Sequence, residues 1–127
     1  MTTKISSQPE LKRAAATLHD ARFTADAIKF DVSANVFTLK CWIFEPAQNK
    51  GGNARRWRAC RLSFTGVTNC DVTTHEKVCY YELSTVRLAR SGHRLDLITH
   101  YGIQLVLQIR ELNGVLTETD EMRERWN

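Results

Sequence analysis

A chain of 127 residues is long enough for one domain with a core and too short for two, and an apolar share of 43% with 25% charged residues excludes a chain left disordered for want of apolar surface. No window approaches the roughly 20 apolar residues that a membrane helix needs, and Met1–Ser7 carries one lysine with no apolar stretch behind it, so neither membrane insertion nor secretion is expected and residues 1–7 read as a flexible tail. The formal charge of +4 admits an acidic partner or nucleic acid without requiring either.

In chain order, Ser6 and Ser7 followed by Pro9, Glu10 and an alanine run specify a capped helix through Leu18, with Leu11, Ala14, Ala15 and Leu18 on one side. The stripe is narrow, so the helix should lie against something larger. After Asp20 the period changes to alternation. Phe23, Ala25, Ala27, Ile28 and Phe30 form an imperfect extended run whose parity slip at Ala27 and Ile28 marks a bulge. Asp31–Asn35 supplies a turn, and Val36–Phe44 completes a hairpin with Phe37, Leu39, Cys41 and Ile43 on one face and Thr38, Lys40, Trp42 and Phe44 on the other.

Glu45–Ala54 is dense in turn formers and reads as a loop. In the strand Arg55–Phe64, Arg56, Arg58, Cys60, Leu62 and Phe64 share one face while Trp57, Ala59 and Arg61 share the other. Gly66–Thr74 offers a short strand around Val67 or Val72, and β-branched and aromatic residues favour an extended Val78–Leu88. Leu95, Leu97 and Thr99 form a strand that Gly102 breaks, and Ile103, Leu105, Leu107 and Ile109 give the cleanest alternation in the chain. Asn113 and Gly114 invite a tight turn; the charged segment Thr117–Asn127 reads as a short exposed helix tethered by Trp126.

Lys50, Arg55, Arg56, Arg58 and Arg61 surround Trp57 within twelve residues, a combination that can grip phosphate and stack on a base. Strand alternation divides them between two faces, which favours a solvated edge over one nucleic-acid stripe. Cys70, His75 and Cys79, with Cys60 as a fourth ligand, lack the tight pairs of a structural zinc site, so no metal is expected. With no secretory segment, these thiols and Cys41 read as reduced and the protein as cytoplasmic.

His19 and Asp20, at the junction of helix and strand, would share a site only if the chain turned there; otherwise Asp20 accepts backbone hydrogen bonds where the helix ends. His93 and His100 have no triad partners by spacing. Phosphate loop, nucleophile elbow and dinucleotide fingerprint are all missing, so no catalytic residue and no cofactor is assigned.

The order Leu18, His19, Asp20, Ala21, then a long hairpin, then Leu62, Ser63, Phe64, Thr65, Gly66, Val67 resembles small bacterial families that open with a Leu or Phe, His, Asp, Ala stretch. One of them is the toxin-immunity family conventionally numbered fifty. The resemblance implies a compact β-rich domain that acts by binding another protein.

The expected fold is therefore one mainly β domain of about six to eight strands: an antiparallel sheet curled into a sandwich or half-barrel, with an N-terminal helix and a short C-terminal helix. The first functional reading is a non-enzymatic protein-interaction module with an aromatic surface patch at Trp42 or Tyr80. A nucleic-acid binder using strand 55–61 is second, an enzyme without a recognisable motif third. Exposed sheet edges also admit a homodimer.

Overall fold

The computed structural model describes residues 1–46 and 55–124. In chain order these form β1 (Thr2–Ile5), α1 (Gln8–Thr17), β2 (Arg22–Phe23), a 3-10 turn (Ala25–Ala27), β3 (Ile28–Asp31), β4 (Val36–Pro46), β5 (Arg55–Phe64), β6 (Val67–Thr74), β7 (Tyr81–Leu88), β8 (Arg94–Thr99), β9 (Ile103–Ile109) and β10 (Gly114–Arg123). The strands pair antiparallel in one sheet that does not close, in the order β1-β10-β5-β4-β2-β7-β8-β9-β6, with β3 beside β4. The mainly β architecture with its N-terminal helix is as the periodicity reads.

Alternation decides which side of each strand is inside. Phe37, Leu39 and Cys41 of β4, Cys60, Leu62 and Phe64 of β5, Leu95 and Leu97 of β8, and Leu105 and Leu107 of β9 are all fully buried in one core. Each such leucine or phenylalanine contributes about 1.5–3 kcal/mol by leaving water. The sheet folds back on itself at a corner where β5 passes into β6 and β9 into β10. Hydrogen bonds from Thr65 N–H to the Asn113 carbonyl at 2.9 Å and from Arg110 N–H to the Gly66 carbonyl at 3.0 Å carry the ribbon round it, and Gly66 supplies the φ of +68° that the bend requires.

Helix α1 lies against β1 and β7 with Leu11, Ala14 and Ala15 buried, joined by Leu18 just beyond its end. Ser7 is its N-cap, and Glu10 N–H donates to the Ser7 hydroxyl at 3.4 Å. Glu10 reaches back to accept from the Ser6 N–H at 2.9 Å and from both serine hydroxyls, which holds its carboxyl below the usual carboxylate range.

Several expectations are corrected. Residues 1–7 are not a loose tail: Thr2–Ile5 pairs with β10, and Ile5 is fully buried opposite Gly114. The C-terminal helix is absent from the described part of its segment, since Gly114–Arg123 is a strand that pairs with β5, through a register shift between Glu118 and Met122, and with β1 over Gly114–Thr117. The ladder to β5, with Thr117 and Thr119 at home in extended backbone, outweighs a charged sequence's modest helix propensity. Trp126 lies outside the described residues.

The parity slip after Phe23 is a 3-10 turn between β2 and β3 rather than a bulge. Segment 66–74 contains an eight-residue strand, and β7 begins only at Tyr81. Strand β4 runs through Glu45 to Pro46, so the expected 45–54 loop is shorter at its start, and its remainder, 47–54, lies outside the described residues. Among the described residues there are ten strands rather than six to eight, because the two short pieces β1 and β2 carry too few residues to show a period.

Candidate functional site

The side of β4 and β5 turned away from the core carries a dense collection of aromatic and cationic side chains. Register sets it: Lys40 lies opposite Arg61, Trp42 opposite Ala59 and Phe44 opposite Trp57, while Arg22 of β2 pairs with both Trp42 and Glu82. Aromatic rings and guanidinium groups alternate across these strands. The Arg22 guanidinium carbon sits 4.5 Å from the Trp57 ring centre and 4.3 Å from that of Tyr80, held between the two. Phe44 meets Trp57 edge to face at 5.1 Å. Lys40 Nζ and the Arg123 guanidinium lie 5.1 and 5.3 Å from the Trp42 ring centre. Each cation–ring contact is worth about 0.5–1 kcal/mol at such partly exposed positions, so together the contacts bias these side chains toward this arrangement before anything binds.

Trp57 is only 9% exposed although it points away from the core, because Arg22 and Phe44 cover it, whereas Phe44 is 42% exposed. Trp42 and Tyr80 are half-buried. Two clefts flank this stack. One of about 400 Å³ is lined by Asp20, Arg22, Phe44, Trp57, Glu82 and His100. The other, of about 380 Å³, lies over β3, β4 and β5 and includes Lys29, Lys40, Trp42 and Arg61.

The basic strand is divided as alternation dictates. Trp57 and Arg61 face outward, while Arg56 and Arg58 take the parity of the core face near the strand's start, opposite Glu45 and Ile43. Arg58 is committed to structure: its guanidinium donates to Glu45 at 2.6 Å and to the Thr119 carbonyl at 2.9 Å, and Glu45 raises its pKa further. Arg56 is exposed. Arg55 belongs to β5 by its backbone, and its side chain, like Lys50, lies outside the described residues.

At the junction the chain does turn, with Asp20 at φ +66°, and this brings His19 and Asp20 together instead of to opposite faces. His19 Nε2 lies 3.5 Å from Asp20 Oδ1, and its Nδ1–H donates to the Ser84 carbonyl at 2.9 Å. His100 Nε2 donates to the same Asp20 oxygen at 2.6 Å. The Asp20 carboxylate therefore takes imidazole partners, not the backbone donors expected at a helix end. His100 could not be assigned to this cluster from the sequence, since 80 residues separate it from Asp20 and only the pairing of β7 with β2 and β8 closes the gap.

The candidate metal ligands do not assemble. Cys60 is in the core, Cys70 half-buried on the edge strand β6, and His75 and Cys79 exposed; among the described residues no three His, Cys, Asp or Glu side chains are grouped to hold a metal. The four cysteines are free thiols. Cys41 and Cys60 are directly opposite each other on the core face, and burial pushes both thiols up, Cys60 to about 12. No described helix is long and apolar enough to cross a membrane.

In comparisons with known proteins, no family model, no curated protein and no solved structure matches this chain.

Proposed function

We propose that this chain is a non-enzymatic module that binds another protein through the outer face of β4 and β5, in the manner the resemblance to a toxin-immunity family implies. The observation that carries the reading is Phe44, an exposed phenylalanine seated on a stack of Trp57, Arg22 and Tyr80 with Trp42 beside it. Aromatic residues and arginine dominate the energetic centres of protein interfaces, because they bury much surface while losing few rotamers. Here the cation contacts have restricted those rotamers in advance, which lowers the entropy cost of docking.

A nucleic-acid interface calls for a continuous positive face with accessible ring planes. On this surface Arg22 lies near Glu82 at 3.9 Å, Lys40 is bound to Glu121 at 2.9 Å, and the planes of Trp57 and Trp42 carry the protein's own cations. Both observations favour a protein partner. Free cysteines suit a reducing compartment, so the cytoplasm is the proposed location. The edge strand β6, eight residues long without Lys, Arg or Pro, is the proposed route to any homodimer.

The test is quantitative co-purification from the native host with the parent chain, with Phe44→Ser on the outer face and with Arg56→Ala on the other. A protein retained near stoichiometry by the parent and by Arg56→Ala, but lost from Phe44→Ser, supports the proposal. Retention that ignores Phe44→Ser, or recovery of nucleic acid in place of a protein, refutes it.

A further inference from the structure

We infer that the cleft over β3, β4 and β5 is a binding site for a phosphomonoester dianion, adjoining the protein-binding stack at Trp42 and independent of whether that stack has a partner. Lys40 and Arg61 are direct cross-strand neighbours on the outward face, and Lys29 of β3, paired with Thr38, is the diagonal neighbour of Lys40. Like charges placed opposite each other in an antiparallel ladder are destabilising. Three on adjacent strands are harder still to account for as a solvated surface.

Only one of the three is neutralised: Lys40 Nζ donates to both Glu121 oxygens, at 2.9 and 3.1 Å. Among the described residues neither Lys29 nor Arg61 has a carboxylate within ion-pair distance, and the Asp26 carboxylate at the rim accepts from the Thr24 hydroxyl. Three cations against the Asp26 and Glu121 carboxylates leave an excess of one positive charge at a concave site of about 380 Å³, within the size range of small-ligand pockets.

The donors fit a tetrahedral dianion better than a carboxylate. Arg61 offers a planar fork that engages two oxygens, and the lysines are point charges for the third. The hydroxyl of Thr38, 3.3 Å from that of Ser63, lies on the floor between them, and Trp42 supplies an apolar wall for whatever carries the phosphate. The same group can arrive on a free metabolite or on a phosphorylated side chain of a peptide.

Amide chemical-shift titration of the full chain at low salt tests the site with four probes: inorganic phosphate, adenosine monophosphate, a phosphoserine peptide and a single-stranded oligonucleotide bearing only phosphodiesters. The inference predicts saturable shifts at Lys29, Thr38, Lys40 and Arg61 with at least one monoester, weakened roughly tenfold in both Arg61→Gln and Lys29→Gln and steeply reduced by salt. Stronger binding of adenosine monophosphate identifies a free ligand, and of the peptide a phosphorylated partner. Both substitutions are at exposed positions, so parental melting curves confirm intact folding. No saturable shift with any monoester at about 20 mM, equal binding by both variants, or binding of the oligonucleotide alone overturns it.

Discussion

Gly114→Ala probes the packing of the fold at its tightest point. Gly114 opens β10 between Phe64 of β5 and Ile5 of β1. An added methyl carbon would stand 2.5 and 2.6 Å from two carbons of the Phe64 ring and 2.9 Å from the Ser63 carbonyl oxygen. The ring contacts are about 1 Å short of the ~3.5–4.0 Å optimum between carbons. Phe64 is fully buried and cannot swing aside, and the Ser63 carbonyl belongs to the ladder. Overpacking of this kind costs about 1–3 kcal/mol, from which the reduced freedom of the unfolded chain returns about 0.4–1 kcal/mol. The expected net loss is about 1–2 kcal/mol, or roughly 3–10 °C in Tm for a domain of this size. Urea unfolding of the parent, Gly114→Ala, Phe64→Leu and the double variant measures it. The two substitutions should couple favourably by about 1 kcal/mol, because the smaller side chain relieves the overlap. A Gly114→Ala protein within about 0.5 kcal/mol of the parent would refute the reasoning.

Stability should fall as pH rises above the range where unfolded cysteines ionise. The folded pKa values of Cys41 and Cys60 are raised, so above about pH 8.5 the unfolded state loses protons that the folded state keeps. Each thiol adds a slope of about −1.4 kcal/mol per pH unit, which the variant with both cysteines replaced by alanine should lack in chemical denaturation across pH 7–10. Ser7→Ala should cost about 1 kcal/mol by removing the cap of α1, with little change in the sheet's amide exchange. Asp20→Asn should cost less than about 1 kcal/mol, since its imidazole contacts are solvent-exposed, and a larger loss would assign this junction a greater structural share than its geometry warrants.

The parts of the fold legible in the sequence are those where one face is buried and the strand is long. The inward rows of β4, β5, β8 and β9 were all readable, because burying a single face imposes a period of two on the side chains. Strands β1 and β2 were not, since four and two residues cannot display a period and are held extended by their neighbours. β10 is hidden for a related reason: Glu118 pairs with Cys60 of β5, and Asp120 and Glu121 fall in the register shift before Met122, so the charged run shows no period of two.

The same limit governs the site. Trp57 and Arg61 could be placed on one face by parity, and Trp42 singled out as a candidate surface aromatic, but Arg22, Phe44 and Lys29 gain their meaning only from register between strands far apart in sequence. Likewise the turn at Asp20 has no glycine or proline to announce it, and the partner it creates for His100 follows from strand order alone.

The outer face of β4 and β5 is proposed as the working surface of this protein. Hydrogen exchange of the chain with and without its co-purified protein tests this most directly. New protection is expected to be confined to β2, the outer-face segments of β4 and β5, and Tyr80; protection on α1 or β8 and β9 with the β4–β5 face unchanged would rule that surface out.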